Sequence, residues 1–146
     1  MANVTAVCIS EKKGIRKHAV PYIDIKLHHG IVGDAHAGDW HRQISLLAEE
    51  SVDKMRALGL TLTAGAFAEN IDTVGLELKT LPVGTRLQIG STVVCVTQIG
   101  KQCHSDCAIK QATGTCVMPT EGIFAVVETE GRIQKGDEIT ILEETK

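Results

Sequence analysis

A chain of 146 residues and 15.7 kDa has the size of one domain and buries roughly 70% of the surface its unfolded form exposes, so it needs no metal or disulfide staple. Hydrophobic residues at 43% and charged residues at 23% exclude a disordered chain, and no apolar run reaches the roughly 18 residues of a membrane span. A net charge of −3 and 3% aromatics argue against a nucleic-acid surface, and Met1–Cys8 lacks the features of a secretion signal, so a cytoplasmic protein with neither nucleic-acid nor membrane partner is expected.

Val4, Ala6 and Cys8 alternate with Thr5, Val7 and Ile9, the period of a first strand. The apolar residues Ile44, Leu47, Ala48, Val52, Met55 and Leu58 recur at three- and four-residue spacing and predict a helix from about Ser45 to Leu58. Ser45 would cap it, Glu49 and Glu50 suit the positive end of its dipole, and Gly59 would close it. Arg86–Ile89 and Val93–Val96 flank Gly90-Ser91 and read as a hairpin. Ile123–Val127 and Glu138–Ile141 complete the strands. The run Gly84–Ile89 is echoed faintly by Gly136–Ile141, each a glycine turn feeding an alternating strand. Many short strands, 14 glycines and one helix predict a single mainly β domain over residues 1–146: a closed, mostly antiparallel β-barrel with one main helix and short helical turns.

Five cysteines with no secretion signal read as thiols or metal ligands rather than a disulfide framework. Three of them, Cys103, Cys107 and Cys116, lie in a long segment between two predicted strands. Lys101 and His104 beside Cys103 would stabilise its thiolate, the form that attacks sulfur or binds metal. One reading is therefore a nucleophilic or sulfur-carrying Cys103 with Cys107 or Cys116 as resolving partner. A second is a structural zinc on Cys103, His104, Cys107 and Cys116, although the adjacency of Cys103 and His104 leaves three good ligands. A third is that these cysteines are inert packing. Cys8 and Cys95 sit on alternating strands and are expected in the core.

Two further segments concentrate polar chemistry. Five of the 6 histidines fall between His18 and His41, around Gly30, Gly33 and Gly38. There Asp34 and His36 could orient one another or a bound group, and Arg42 offers a planar fork to an anion. The bland alternative is a corner in which Asp34 caps a turn. Directly after the first strand, Lys12, Lys13, Arg16 and Lys17 around Gly14 form a basic loop that could grip a phosphate. Glu69 and Asn70 are polar handles on a strand-like edge, Gly65–Ile71.

The ordered set resembles the MOSC domain family, named for the C-terminal domain of molybdenum cofactor sulfurase. The resemblance runs through Gly30–Gly38, His41–Leu47, Phe67–Ile71, Gly75-Leu76, Thr97–His104, Cys116–Ala125 and Gly136-Asp137, nearly the whole chain. It implies a barrel related to that of pyruvate kinase and a role with sulfur and the molybdenum cofactor. The family cysteine falls on Cys103, which would carry a persulfide or place its thiolate on molybdenum. Lys101, His104, Cys107 and Cys116 would serve that chemistry. The pterin cofactor would be held by Lys12, Lys13, Arg16, Lys17, Gly33, Asp34, His36, Arg42, Asn70 and Cys103. This points to a cofactor-binding or sulfur-carrier accessory protein. The alternatives are a small molybdenum-dependent reductase of N-hydroxylated compounds and a zinc-stabilised binding module. No pyridoxal-phosphate half or electron-delivery module is recognisable, so a cysteine desulfurase, a molybdoenzyme or a redox partner is expected to supply what is missing.

Overall fold

The computed structural model describes residues 2–11, 17–35, 37–40, 43–57, 69–76, 78–99 and 122–143. Among these, the elements in chain order are β1 (Ala2–Ile9), β2 (His18–Val20), β3 (Tyr22–Lys26), β4 (Gly30–Ile31), β5 (Ile44–Ala48), α1 (Glu49–Arg56) and β6 (Ile71–Val74). A 3-10 turn (Leu78–Thr80) leads on to β7 (Arg86–Ile89), β8 (Thr92–Ile99), β9 (Ile123–Thr129), β10 (Gly131–Gln134) and β11 (Glu138–Glu143).

Seven strands close a barrel in the order β1, β11, β7, β8, β9, β5, β6 and back to β1. Every pairing is antiparallel except β5 with β6. β2 pairs beside the end of β1, and β10, β3 and β4 form a second small sheet. Alternation along the strands, with a bulge between Val4 and Ala6 in β1, turns Val4, Val7, Leu46, Ile71, Leu87, Val94, Val96 and Ile123 into the interior, where all are buried. Ile23, Ile25, Ile31 and Ile133 of the small sheet join the same core, as do Leu78 and Leu81 from the connection between β6 and β7. The interior is therefore packed with aliphatic side chains, and the outer wall and the end loops are left to carry polar chemistry.

The mainly β, closed-barrel architecture is the one expected. The hairpin turns at Gly90 with φ +59°, and the two echoed segments lie side by side, with Ile139 opposite Ile89 and Ile141 opposite Leu87. The helix is the main correction. Ile44–Ala48 is a strand, and among the described residues of the predicted span only Glu49–Arg56 is helical. All five residues of β5 are buried, because it is hydrogen-bonded on both sides and covered on both faces. Such a strand reads as a continuous apolar run that a helical spacing also fits. Ser45 is thus no helix cap, whereas Glu49 and Glu50 do occupy the first helical turn. Gly59 lies outside the described residues.

Candidate functional site

β1, β7 and β9 run one way around the barrel, and β5, β6, β8 and β11 run the other. The basic segment follows β1 and the glycine–histidine segment leads into β5, so both leave from the same end. The cysteine segment follows β8 and precedes β9, so its two stems, Ile99 and Gly122, stand at the opposite end.

At the first end a buried polar knot joins the two segments. Lys17 Nζ donates to Asp34 Oδ1 at 2.7 Å and to Ser10 Oγ at 3.2 Å, with both charged side chains fully buried. The Ser10 N–H donates to the same Asp34 oxygen at 3.1 Å, and the Ala35 N–H donates to the Ser10 carbonyl at 2.8 Å. A buried lysine persists only where a carboxylate and further hydrogen bonds replace its water. The knot therefore pins both stems of the basic segment against the glycine-rich turn. Gly33 sits beside Asp34 with φ +86°, a left-handed conformation in which a side chain would be strained.

A second knot lies on the outer face of β1, β6 and β5, where Cys8, Ser45, Leu47, Asn70 and Asp72 alternate with the core residues. Asn70 Oδ1 accepts from the Ser45 N–H at 3.0 Å and from Ser45 Oγ at 3.1 Å, and its Nδ2 donates to the Cys8 carbonyl at 3.1 Å. Its backbone N–H donates to Ser45 Oγ, and the Cys8 N–H to the Asn70 carbonyl. One buried side chain thus ties three neighbouring strands. Glu69 and Asp72, both buried, flank it.

The two described thiols differ. Cys8 is buried, as expected, and desolvation together with the nearby carboxyls of Asp72 and Glu69 pushes its pKa far upward, which makes it a poor nucleophile. Cys95 is only half-buried, contrary to the core expectation. Val94 and Val96 take the inner face, which turns Cys95 outward between Arg86 and Glu128. Burial raises its pKa as well.

Of the residues singled out in the sequence, Lys17, Gly33 and Asp34 come together in the first knot and Asn70 lies in the second. The histidines do not converge among the described residues: His18 and His28 are exposed, and His28 Nδ1 lies 3.6 Å from Asp39. Lys12, Lys13, Arg16, His36, His41, Arg42, Lys101, Cys103, His104, Cys107 and Cys116 lie outside the described residues. Among the described ones no cluster of three or more His, Cys, Asp or Glu could hold a metal, and no helix is long and apolar enough to cross a membrane. Sequence reading missed Ser10, Ser45 and Asp72. The available signal was a polar residue inside an apolar strand run, as Ser45 is in Ile44–Ala48.

The MOSC domain model matches residues 33–140. Comparison with the curated proteins gives no match. Among solved structures, the chain is similar to the YuaD protein of Bacillus subtilis, with TM-score 0.78 and 19% identity over 95% of this chain and 94% of that one. It is also similar to YiiM of Geobacillus stearothermophilus, with TM-score 0.73 and 20% identity over 98% of this chain and 76% of that one. YiiM of Escherichia coli gives TM-score 0.64 and 20% identity over 99% and 69%. At these identities the likeness is one of fold. With a family match over most of its length, the chain belongs to the MOSC domain family.

Proposed function

We propose that the protein is a molybdenum-cofactor-binding or sulfur-carrying accessory protein that works through the Cys103 thiolate in cofactor maturation or delivery. The observation that carries this reading is the family match over residues 33–140, which spans Cys103 and its neighbours Lys101 and His104. The donor set fits the cargo in kind. A soft thiolate suits molybdenum or sulfane sulfur, and the cations Lys12, Lys13, Arg16 and Arg42 suit a pterin phosphate. Because the stems of the basic and cysteine segments stand at opposite ends of the barrel, one cofactor held by both would require the long cysteine segment to reach across. When bound, the cofactor would supply a molybdenum–sulfur centre.

The described residues support this by holding the frame. The Lys17–Asp34–Ser10 knot fastens the stems of the basic segment beside Gly33. Its charges neutralise one another, so Lys17 and Asp34 serve to position the loop. Asn70 is engaged by Ser45 and Cys8, and its part is likewise to hold the wall. In the carrier role, the Cys103 thiolate attacks the outer sulfur of a donor persulfide. A new S–S bond forms at Cys103, the donor's S–S bond breaks, and the donor leaves as a thiolate, with no net oxidation. Cys107 or Cys116 would then attack the inner sulfur of the Cys103 persulfide, forming a disulfide with Cys103 as the outer sulfur leaves as hydrosulfide. An external dithiol would reduce that disulfide to reset the protein.

The test is native mass spectrometry of protein prepared without oxygen from cells that make the cofactor, with Cys103→Ser alongside. A pterin–molybdenum or sulfur adduct that is absent from Cys103→Ser supports the reading and tells the two cargoes apart. Stoichiometric zinc that survives in Cys103→Ser replaces it with a structural metal module. Turnover of an N-hydroxylated substrate with an artificial electron donor would favour the reductase.

A further inference from the structure

α1 lies against β5 and β6 on the outside of the barrel and buries Ser51 and Val52. Beneath it is Asp72, 1% exposed, opposite Ala6 on β1 and Leu47 on β5. Neither Asp72 carboxylate oxygen meets a hydrogen-bond donor among the described residues. A second buried carboxyl, Glu69, acts on it, and two carboxyls can bond only with a proton between them. From α1, Glu49 faces the same spot, held by Thr5 Oγ1 at 3.3 Å and by Arg56 at 2.8 Å. From β1 the Cys8 thiol is close enough to feel the Asp72 carboxyl. Among the described residues Arg56 is a cation that acts on Asp72, and it is shared with Glu49 and Asp53.

We propose that Glu69 and Asp72 form a proton-operated latch that holds α1 on the barrel wall. With the proton in place the pair is a neutral hydrogen-bonded unit suited to burial. Without it, two carboxylates face each other and Glu49 in a site where water cannot screen them. Opening α1 admits that water, so loss of the proton and release of the helix are one event. Burial first, and the Glu69 and Glu49 carboxyls second, raise the Asp72 pKa far above the ordinary carboxylate range. The latched state therefore keeps a proton that the opened state releases above about pH 4. Its advantage is complete below that pH and declines as the pH rises toward the raised value.

Hydrogen exchange of the intact protein, followed by mass spectrometry between about pH 6 and 9 and corrected for intrinsic rates, tests this. Protection of α1 should fall with pH, by up to about tenfold per unit, while β8 protection stays level. Asp72→Asn supplies a donor to Glu69 in place of the shared proton and should abolish the slope. Glu69→Gln removes the second carboxyl but leaves Asp72 buried beside Glu49, so it should shrink the slope, and it serves if Asp72→Asn does not fold. An α1 slope no different from that of β8, one that persists in folded Asp72→Asn, or one that is undiminished in folded Glu69→Gln, overturns the latch.

Discussion

Replacing Asn70 with Ala separates a strand tie from a cofactor contact. The substitution removes the acceptor of the Ser45 N–H and hydroxyl and the donor to the Cys8 carbonyl, at distances of 3.0 to 3.1 Å, from a site with no solvent exposure. Each hydrogen bond contributes about 1 kcal/mol net, and each buried group left unpaired costs about 1–3 kcal/mol. Some of these costs overlap and the wall can relax, so a loss of about 3–4 kcal/mol is expected. At about 3 °C per kcal/mol for a chain of this size, the melting temperature should fall by about 10 °C. Thermal and urea unfolding followed by circular dichroism measure it. Ser45→Ala should lose less, about 1–2 kcal/mol, because the Ser45 backbone N–H keeps Asn70 as its acceptor. A melting temperature for Asn70→Ala within about 2 °C of the parent would refute the reasoning. If the adduct in the mass spectrum vanished at the same time, Asn70 would move from the wall into the cofactor site.

Two other expectations come from the same geometry. Asp34→Asn or Lys17→Met alone should destabilise by about 3–5 kcal/mol in urea unfolding, because each strands the other member of a buried ion pair. Lys17→Met combined with Asp34→Leu should lose clearly less than the sum, and strict additivity would show that the pair is not coupled. In peptide-mapped maleimide labelling of the native protein, Cys95 should react well before Cys8, whose labelling should wait for unfolding; equal rates would contradict the burial and raised pKa of Cys8.

The closed β-barrel was legible because short alternating runs and glycine turns are local signals. Glycine at position 90 reverses the chain wherever the hairpin ends up, and the periods of β1, β7, β8, β9 and β11 stand in the sequence without their partners. The boundary between β5 and α1 was not legible. A strand buried on both faces has no polar alternation, and only its neighbours β6 and β9 decide against a helix. The strands β2, β3, β4, β6 and β10 are two to five residues long and exist by pairing, so their signal is nearly all tertiary.

The same division holds for the candidate site. The sequence by itself determined which chemistries are on hand: a cysteine between a lysine and a histidine, a basic loop, and a glycine–histidine turn with an aspartate. Residue type and spacing are properties of the chain. Only the tertiary structure decided that Lys17 is paired with Asp34 within the fold, that Asn70 binds three strands together, and that Asp72 is shut in with Glu69 beneath α1. A lysine in water is a free cation, an asparagine a loose donor and an aspartate an anion. Burial removes the water and leaves each to be satisfied by whatever the fold brings within about 3 Å.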